Sequence, residues 1–393
     1  MKKKMKKIIK KLIIGVYNIA YYILPINEKI IMFESSVGRN YTGNPKAIYE
    51  EIVKQKLDYS YKCIWILENT NQKIPGNCKK VKRLRLLYFY YMIRSKFWVM
   101  DSRQPSYLKK KKGNVYIQTW HGTPLKKLGL DMTFVNMSGY SDIKEYRDTF
   151  RKNSSRWDYL ISQNEYSTRI FKHAFNFNKN ILEVGYPRND ILFNNNFNNL
   201  ENMKKDLGIQ KDKKVILYAP TWRDNQYSED GRYKFILPID LDKFIEKFSK
   251  EYVLILKPHY LVADKIDISK YKENVKICGI DWDIQQLYLI SDILITDYSS
   301  VMFDYSILKK PIIFYMYDLK EYTDEIREFY FDILQEAPGQ ITLNNTELME
   351  AIENIDELII KYNDKYTNFC KKYSSIDSGN ASKKIINIIQ SGK

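Results

Sequence analysis

Residues 290–315 read ISDILITDYSSVMFDYSILKKPIIFY. Two short apolar runs, Ile293–Thr296 and Ile312–Tyr315, flank an apolar stretch opening at Val301-Met302-Phe303 that reads as a helix. Strand, helix and strand in that order are the unit of a parallel sheet covered by helices. The same alternation extends in both directions. Upstream, strands are expected at 30–34, Lys62–Leu67, 97–101, 115–120, Tyr159–Ser162 and 181–184. Helical patterns lie between them, for instance at 44–54, 85–93 and 167–174. An Asn-rich stretch at 193–200 (FNNNFNNL) reads as a linker or the first turn of a connecting helix. A second series then follows at 215–219, Tyr252–Leu256 and Val275–Ile277, with a helical tail over 348–389. Two such series predict an α/β protein with two doubly wound, Rossmann-like domains facing a central cleft. The expected boundaries are 1–25 for an N-terminal helix, 26–200 for the first domain and 201–393 for the second. The last helices are expected to fold back on the first domain.

A chain of 393 residues with 44% hydrophobic and 28% charged residues can bury a large core, which excludes wholesale disorder. Glycine (15) and proline (11) are too sparse for a fibrous or linker-dominated chain. Cys63, Cys78, Cys278 and Cys370 lack metal-ligand spacing and are too few for a disulfide scaffold, so they read as reduced cytosolic thiols. The 64 basic and 47 acidic residues leave +17, which points to an anionic partner.

Lys2, Lys3, Lys4, Lys6, Lys7, Lys10 and Lys11 open the chain, followed by an apolar stripe at Ile8, Ile9, Leu12, Ile13, Val16, Ala20, Ile23 and Leu24. The stripe stops at Pro25, short of the roughly 20 apolar residues a bilayer span needs. A basic amphipathic helix lying on an anionic membrane surface fits the pattern. A signal peptide lacks its small-residue cleavage site, and a helix packed on its own domain is the plainer alternative.

Ligands of doubly wound sheets bind beyond the carboxyl ends of the strands, and the polar residues there are consistent in kind. The expected strands are followed by His121-Gly122-Thr123-Pro124, Gly185-Tyr186-Pro187-Arg188, Thr221-Trp222-Arg223, Lys257-Pro258-His259 and Asp297-Tyr298-Ser299-Ser300. Two of the three histidines, His121 and His259, fall at such ends. His173 reads as an ordinary helix residue. Ser299 or Ser300 is placed to cap a helix, and each of these residues alone is as readily structural. Together they suit a phosphate-bearing nucleotide: arginine and lysine for phosphate oxygens, helix amides for an anion, histidine as a base. No Walker loop and no G-x-G-x-x-G following a strand is present, so ATP hydrolysis and dinucleotide redox chemistry lack support.

Six blocks carry a resemblance: QTWHGTPLKKLG (118–129), RWDYLISQNEYST (156–168), VGYPRND (184–190), LYAPTWRD (217–224), LKPH (256–259) and residues 290–315. They resemble the CDP-glycerol glycerophosphotransferases of teichoic acid synthesis, together with their ribitol-phosphate and capsule relatives in Gram-positive bacteria. The resemblance implies a GT-B-type fold and transfer of a polyol phosphate from CDP-glycerol or CDP-ribitol to a polyprenyl-diphosphate-linked acceptor, with release of CMP. It implies His121 as the general base and His259 steadying the pyrophosphate or the leaving CMP. Arg223, Ser299 and Ser300 would hold phosphate oxygens, with Lys257, Gly122 and Thr123 beside them, Asp297 positioning the site and Arg188 on its rim. No carboxylate cluster for a metal is visible, so no cofactor is expected with any firmness and a helper Mg²⁺ is left open. The implied location is peripheral, on the cytoplasmic face of the membrane, with no nucleic acid partner and an undetermined oligomeric state. The longer polymerases carry a large additional N-terminal region, and the short form here is shared by primases and extenders; the lean is towards an extender. A nucleotide-sugar glycosyltransferase of the same fold is the alternative enzyme, and a non-catalytic basic binding protein the alternative class.

Overall fold

The computed structural model describes residues 2–135, 142–194, 197–221, 237–258, 266–322 and 328–392. The chain divides by its internal contacts into two compact units. The first comprises residues 1–121, 129–190 and 380–393, and the second 122–128 and 191–379.

Among the described residues the first unit holds seven strands: β1 Asn27–Glu34, β2 Lys62–Leu67, β3 Cys78–Lys82, β4 Ser95–Met100, β5 Val115–Gln118, β6 Tyr159–Ser162 and β7 Asn180–Glu183. They pair in parallel in the order β3-β2-β1-β4-β5-β6-β7. The second unit holds β8 Lys214–Tyr218, β9 Tyr252–Leu256, β10 Val275–Ile277, β11 Ile293–Thr296, β12 Ile312–Tyr315 and β13 Ile341–Thr342. These also pair in parallel, in the order β10-β9-β8-β11-β12-β13. The strands are near-continuous runs of Ile, Leu, Val and aromatic residues because helices cover both faces of such sheets. In each sheet the winding reverses beside its first strand, between β1 and β4 and between β8 and β11, where doubly wound folds place their ligands.

Two strands, β3 and β13, lie outside the expected set. β3 reads CKKVK, an edge strand whose lysines face solvent, so its pattern passes for a charged loop. β13 has two residues, too few to show any period.

The core of the first unit gathers Phe33, Tyr49, Trp65, Val99, Ile117 and Ile161. Ile385, Ile386 and Ile389 of the last helix, Ala381–Gln390, join that same core. The carboxylate of Asp190 accepts the first amides of that helix, from Ala381 at 2.9 Å and Ser382 at 2.8 Å, capping its positive end.

The N-terminal helix spans Lys2–Ile23. Tyr17 is buried, and its hydroxyl donates to the Lys109 carbonyl at 2.9 Å, while Tyr21 donates to the Lys110 carbonyl at 3.2 Å. One face of the helix is thereby docked on its own unit. Leu12, Val16, Ile19 and Ile23, spaced three or four apart, stay 63–71% exposed on another. No described helix is long and apolar enough to cross a membrane.

Candidate functional site

Beyond β5 the chain makes a sharp turn at Trp120, whose φ of 51° lies in the left-handed region that a bulky residue rarely occupies. Several contacts hold it there. Asn44 donates from Nδ2 to the carbonyls of Thr119 and Trp120, both at 3.0 Å, and the Trp120 amide donates to Gln118 Oε1 at 3.0 Å. The indole lies against Phe171 and Phe175. This turn throws His121 off the strand end, and its ring stacks on Trp120 with centroids 4.5 Å apart and planes 25° from parallel.

His121 Nδ1 lies 3.1 Å from the backbone carbonyl oxygen of Asp101, the residue that follows β4. A carbonyl only accepts, so Nδ1 carries the proton and the Nε2 lone pair is left to act as a base. The residue is exposed at the surface, but Trp120 covers one face of its ring and the surrounding loops crowd the imidazole. That loss of hydration lowers the imidazole pKa below its ordinary 6.5; the Asp101 carbonyl opposes the shift, and the charges of Arg188 and Arg103 add to it. Arg188 Nη1 donates to the His121 carbonyl at 2.6 Å, its guanidinium carbon sits 5.0 Å from the Tyr186 ring centroid, and its amide donates to Asn44 Oδ1 at 3.1 Å. Asn44 thus ties the His121 turn to the Arg188 turn.

Asp101 anchors this corner. Its buried carboxyl accepts the Ser36 amide at 2.9 and 3.1 Å and the Ser102 hydroxyl at 2.6 Å. Burial raises its pKa to about 7 against the pull of those donors. Asp101, Arg103 and Asn44 are absent from the expected site. They follow strands or open a helix as the expected residues do, but DSRQP (101–105) and GNPK (43–46) match no motif, so only the strand-end rule could have marked them.

In the second unit, residues 122–128 run beside 328–330. Lys127 N donates to the Glu328 carbonyl at 2.8 Å, Tyr330 N to the Leu125 carbonyl at 2.9 Å, and Lys127 Nζ pairs with Glu328 at 3.0 Å. Gly122 and Thr123 are buried there. Tyr298 stacks on Tyr322 at 3.9 Å, and Lys126 lies 5.2 Å from the Tyr322 ring centroid. Asp297 is fully buried and accepts the Thr221 amide at 2.8 Å, which makes it an anchor of the loop after β8. Ser299 and Ser300 are half-buried ahead of the five-residue helix Val301–Tyr305. Ser300 stands at the cap position without a side-chain capping bond, while Ser299 Oγ meets the Val301 amide at 3.5 Å. Lys257 turns its ammonium to the carbonyls of Gly279 and, at 2.8 Å, Trp282; burial lowers its pKa. Arg223 and His259 lie outside the described residues. Among the described residues, no group of three or more His, Cys, Asp or Glu side chains is placed to hold a metal ion.

Residues 16–391 match the family described as CDP-glycerol:poly(glycerophosphate) glycerophosphotransferase. The teichoic acid poly(glycerol phosphate) polymerase of Bacillus spizizenii is 43% identical over 98% of this chain and 99% of its own. The teichoic acid glycerol-phosphate transferase of Staphylococcus aureus is 43% identical over 92% of this chain and 93% of its own. Two longer poly(glycerol phosphate) polymerases match over about half of their length, 52% and 51%. Ribitol-phosphate polymerases match at 27% or 28% identity. The solved structure of the wall teichoic acid polymerase TagF superposes with a TM-score of 0.92 at 40% identity, covering 99% of this chain and 96% of that one.

The anchoring carboxyl yields a stability test. Folded Asp101 keeps its proton up to about pH 7, whereas the unfolded side chain releases it near 3.8. Its contribution to stability is therefore greatest at low pH and falls as pH rises towards 7. Asp101→Asn cannot ionise. In urea unfolding at pH 5 and pH 7, the variant is expected to lose about 2 kcal/mol less than the parent over that interval, at about 1.4 kcal/mol per pH unit. Equal losses would contradict the assignment.

Proposed function

The chain belongs to the CDP-glycerol:poly(glycerophosphate) glycerophosphotransferase family, a family of transferases with a GT-B-type fold, and on that premise we propose that it transfers glycerol phosphate from CDP-glycerol to the hydroxyl end of a primed, lipid-linked teichoic acid acceptor, releasing CMP. The observation that carries the chemistry is the seating of His121, with Nδ1 committed to the Asp101 carbonyl, which in the neutral ring leaves the lone pair on Nε2. Nε2 takes the proton of the acceptor hydroxyl. That oxygen then attacks the glycerol-side phosphorus, the bond from this phosphorus to the bridging oxygen breaks, and CMP leaves with the bond's electron pair. A lowered imidazole pKa keeps His121 neutral at cytoplasmic pH, the state a base must start from. Phosphoryl transfer otherwise depends on alignment and charge neutralisation. Ser299 and Ser300, neither fully spent on capping, are assigned to phosphate oxygens together with Arg223, and His259 to the departing CMP. The second unit is accordingly the donor-binding one and the first the acceptor-binding one. Asp297 and Lys257 are assigned to positioning loops, since Asp297 Oδ1 accepts the Thr221 amide and the Lys257 ammonium donates to the carbonyls of Gly279 and Trp282. Glycerol is favoured over ribitol as the polyol because glycerol-phosphate enzymes are the nearer relatives, 43% against 27–28% identity.

The proposed workplace is the cytoplasmic face of the membrane. The exposed apolar stripe of Leu12, Val16, Ile19 and Ile23 lies on a helix docked beside Lys109 and Lys110. Apolar burial and lysine attraction to anionic headgroups together bind such a helix to a surface. In vesicle sedimentation, the protein is expected to bind phosphatidylglycerol vesicles at least about 10-fold more tightly than phosphatidylcholine vesicles, and Val16→Ser with Ile19→Ser should remove most of that binding. Binding untouched by the double substitution would refute the stripe.

The activity test is CMP release from CDP-glycerol, CDP-ribitol and a UDP-sugar, each with a glycerol-phosphate-primed and an unprimed lipid-linked disaccharide. Release is expected with CDP-glycerol and the primed acceptor, and His121→Ala should lower it by about 10²–10⁴-fold at unchanged melting temperature. Turnover of the UDP-sugar alone would favour a glycosyltransferase, and turnover of the unprimed acceptor a primase.

A further inference from the structure

Arg103 lies two residues beyond Asp101, on the loop whose carbonyl fixes the His121 tautomer. Its guanidinium carbon is 4.6 Å from the ring centroid of Phe150 and 5.5 Å from that of Tyr146, so it rests on two aromatic rings of the helix Ile143–Ser154. The loop beneath it is stiff. Arg156 donates to the carbonyls of Gln104, Pro105 and Leu108 at 2.9, 3.1 and 2.8 Å. Gln104 donates to the buried Glu34 at 2.6 Å and accepts from Tyr88 at 2.9 Å. Within this fixed frame, Arg103 Nη1 is buried and has no hydrogen-bond partner among the described residues, nor is Arg103 ion-paired there. Folded proteins seldom leave a buried polar group unsatisfied, and a charged donor is the costliest to leave so; such a group calls for an occupant. The second guanidinium of the corner, Arg188, is bonded to the carbonyl of His121 itself.

We propose that Arg103, with Arg188, forms an anion subsite on the acceptor side of His121, and that it takes the last phosphodiester of the acceptor chain. This inference rests on the reading of the preceding subsection. A glycerol-phosphate end carries its anionic phosphodiester three carbons from the hydroxyl that His121 would deprotonate, so base and anion site must be neighbours, as they are here. An arginine fork suits a phosphodiester's two oxygens, and the aromatic rings beneath it hold the fork in place before binding. The subsite also gives a reason to prefer a primed acceptor: an unprimed disaccharide has no phosphodiester at that distance from its hydroxyl. Arg103 positions the acceptor; it takes no part in bond making.

The test reads the histidine rings directly, in the full-length protein labelled with ¹⁵N-histidine, using diglycerol phosphate as the acceptor-end probe and CMP as the donor-side probe. Diglycerol phosphate is expected to raise the pKa of His121 in the parent by placing an anion beside it. In Arg103→Met, which keeps the contact with Phe150, the probe should bind about 10-fold more weakly or worse, and in Arg103→Lys the loss should be partial. The Lys variant also reports should the Met variant fail to fold. An equal response in parent and both variants, or a response to CMP alone that is lost in Arg103→Met, would overturn the subsite. CMP release from CDP-glycerol by the parent is measured alongside. Its absence with Arg103-dependent probe binding intact removes the proposed reaction and leaves the anion site, whereas its presence with Arg103-independent binding removes only the subsite.

Discussion

A buried aspartate placed just past the fourth strand of each sheet, accepting the backbone amide of the loop after the first strand, is the interaction on which the strand-end loops of each unit depend. In the first unit Asp101 accepts from Ser36, and in the second Asp297 accepts from Thr221. In both sheets these strands are neighbours, β1 with β4 and β8 with β11, and the winding reverses between them. At such a point the two loops part to opposite faces and leave backbone amides without a strand partner, so an aspartate carboxyl group closes the gap. With the gap closed, the Asp101 carbonyl is available to His121 and the loop carrying Arg103 is held, while the chain beyond β8 is held at Thr221.

The reactivity of His121 follows from how it is held. A bulky residue in the left-handed region at Trp120 is unfavourable in isolation, and the surroundings over-determine it through Asn44, Gln118 and ring contacts with His121, Phe171 and Phe175. The imidazole therefore emerges in one orientation with one tautomer. Crowding and the charges of Arg188 and Arg103 resist its protonation, and in the proposed reaction the same arginines would attract anionic substrate groups. Acceptor binding should then raise the basicity of the ring as it arrives, because a phosphodiester offsets the positive charges that depress it.

Much of this was legible in the sequence, and the boundary is physical. Strands such as WIL within 62–67 and ILIT at 293–296 are buried on both faces, so they appear as apolar runs that nothing else explains. His121, Arg188, Asp297 and the serine pair stand at strand ends, where the architecture alone marks them. What stayed hidden depends on partners distant in the chain. Asp101 matters through Ser36 and His121, Arg103 through Phe150, and Asn44 through Thr119, Trp120 and Arg188; none of these pairings leaves a periodic trace. Lys257 stands at a strand end like the others, yet its ammonium serves the carbonyls of Gly279 and Trp282, which only a structure reveals. The N-terminal helix shows both sides of the limit. Its periodicity marks an apolar face, but not that Tyr17 and Tyr21 dock a second face on the loop at 109–110.

The central claim is that a neutral His121, held by the Asp101 carbonyl, is the base. The most direct measurement is the pH dependence of kcat/KM for the acceptor, which reports the ionisation of the free enzyme. The rate should fall on the acid side with an apparent pKa below 6.5, and the acid limb should move upward when Arg188 is replaced by Met, since one of the charges resisting protonation is then gone. An acid limb at or above 6.5 in the parent, or one that Arg188→Met leaves in place, would contradict it.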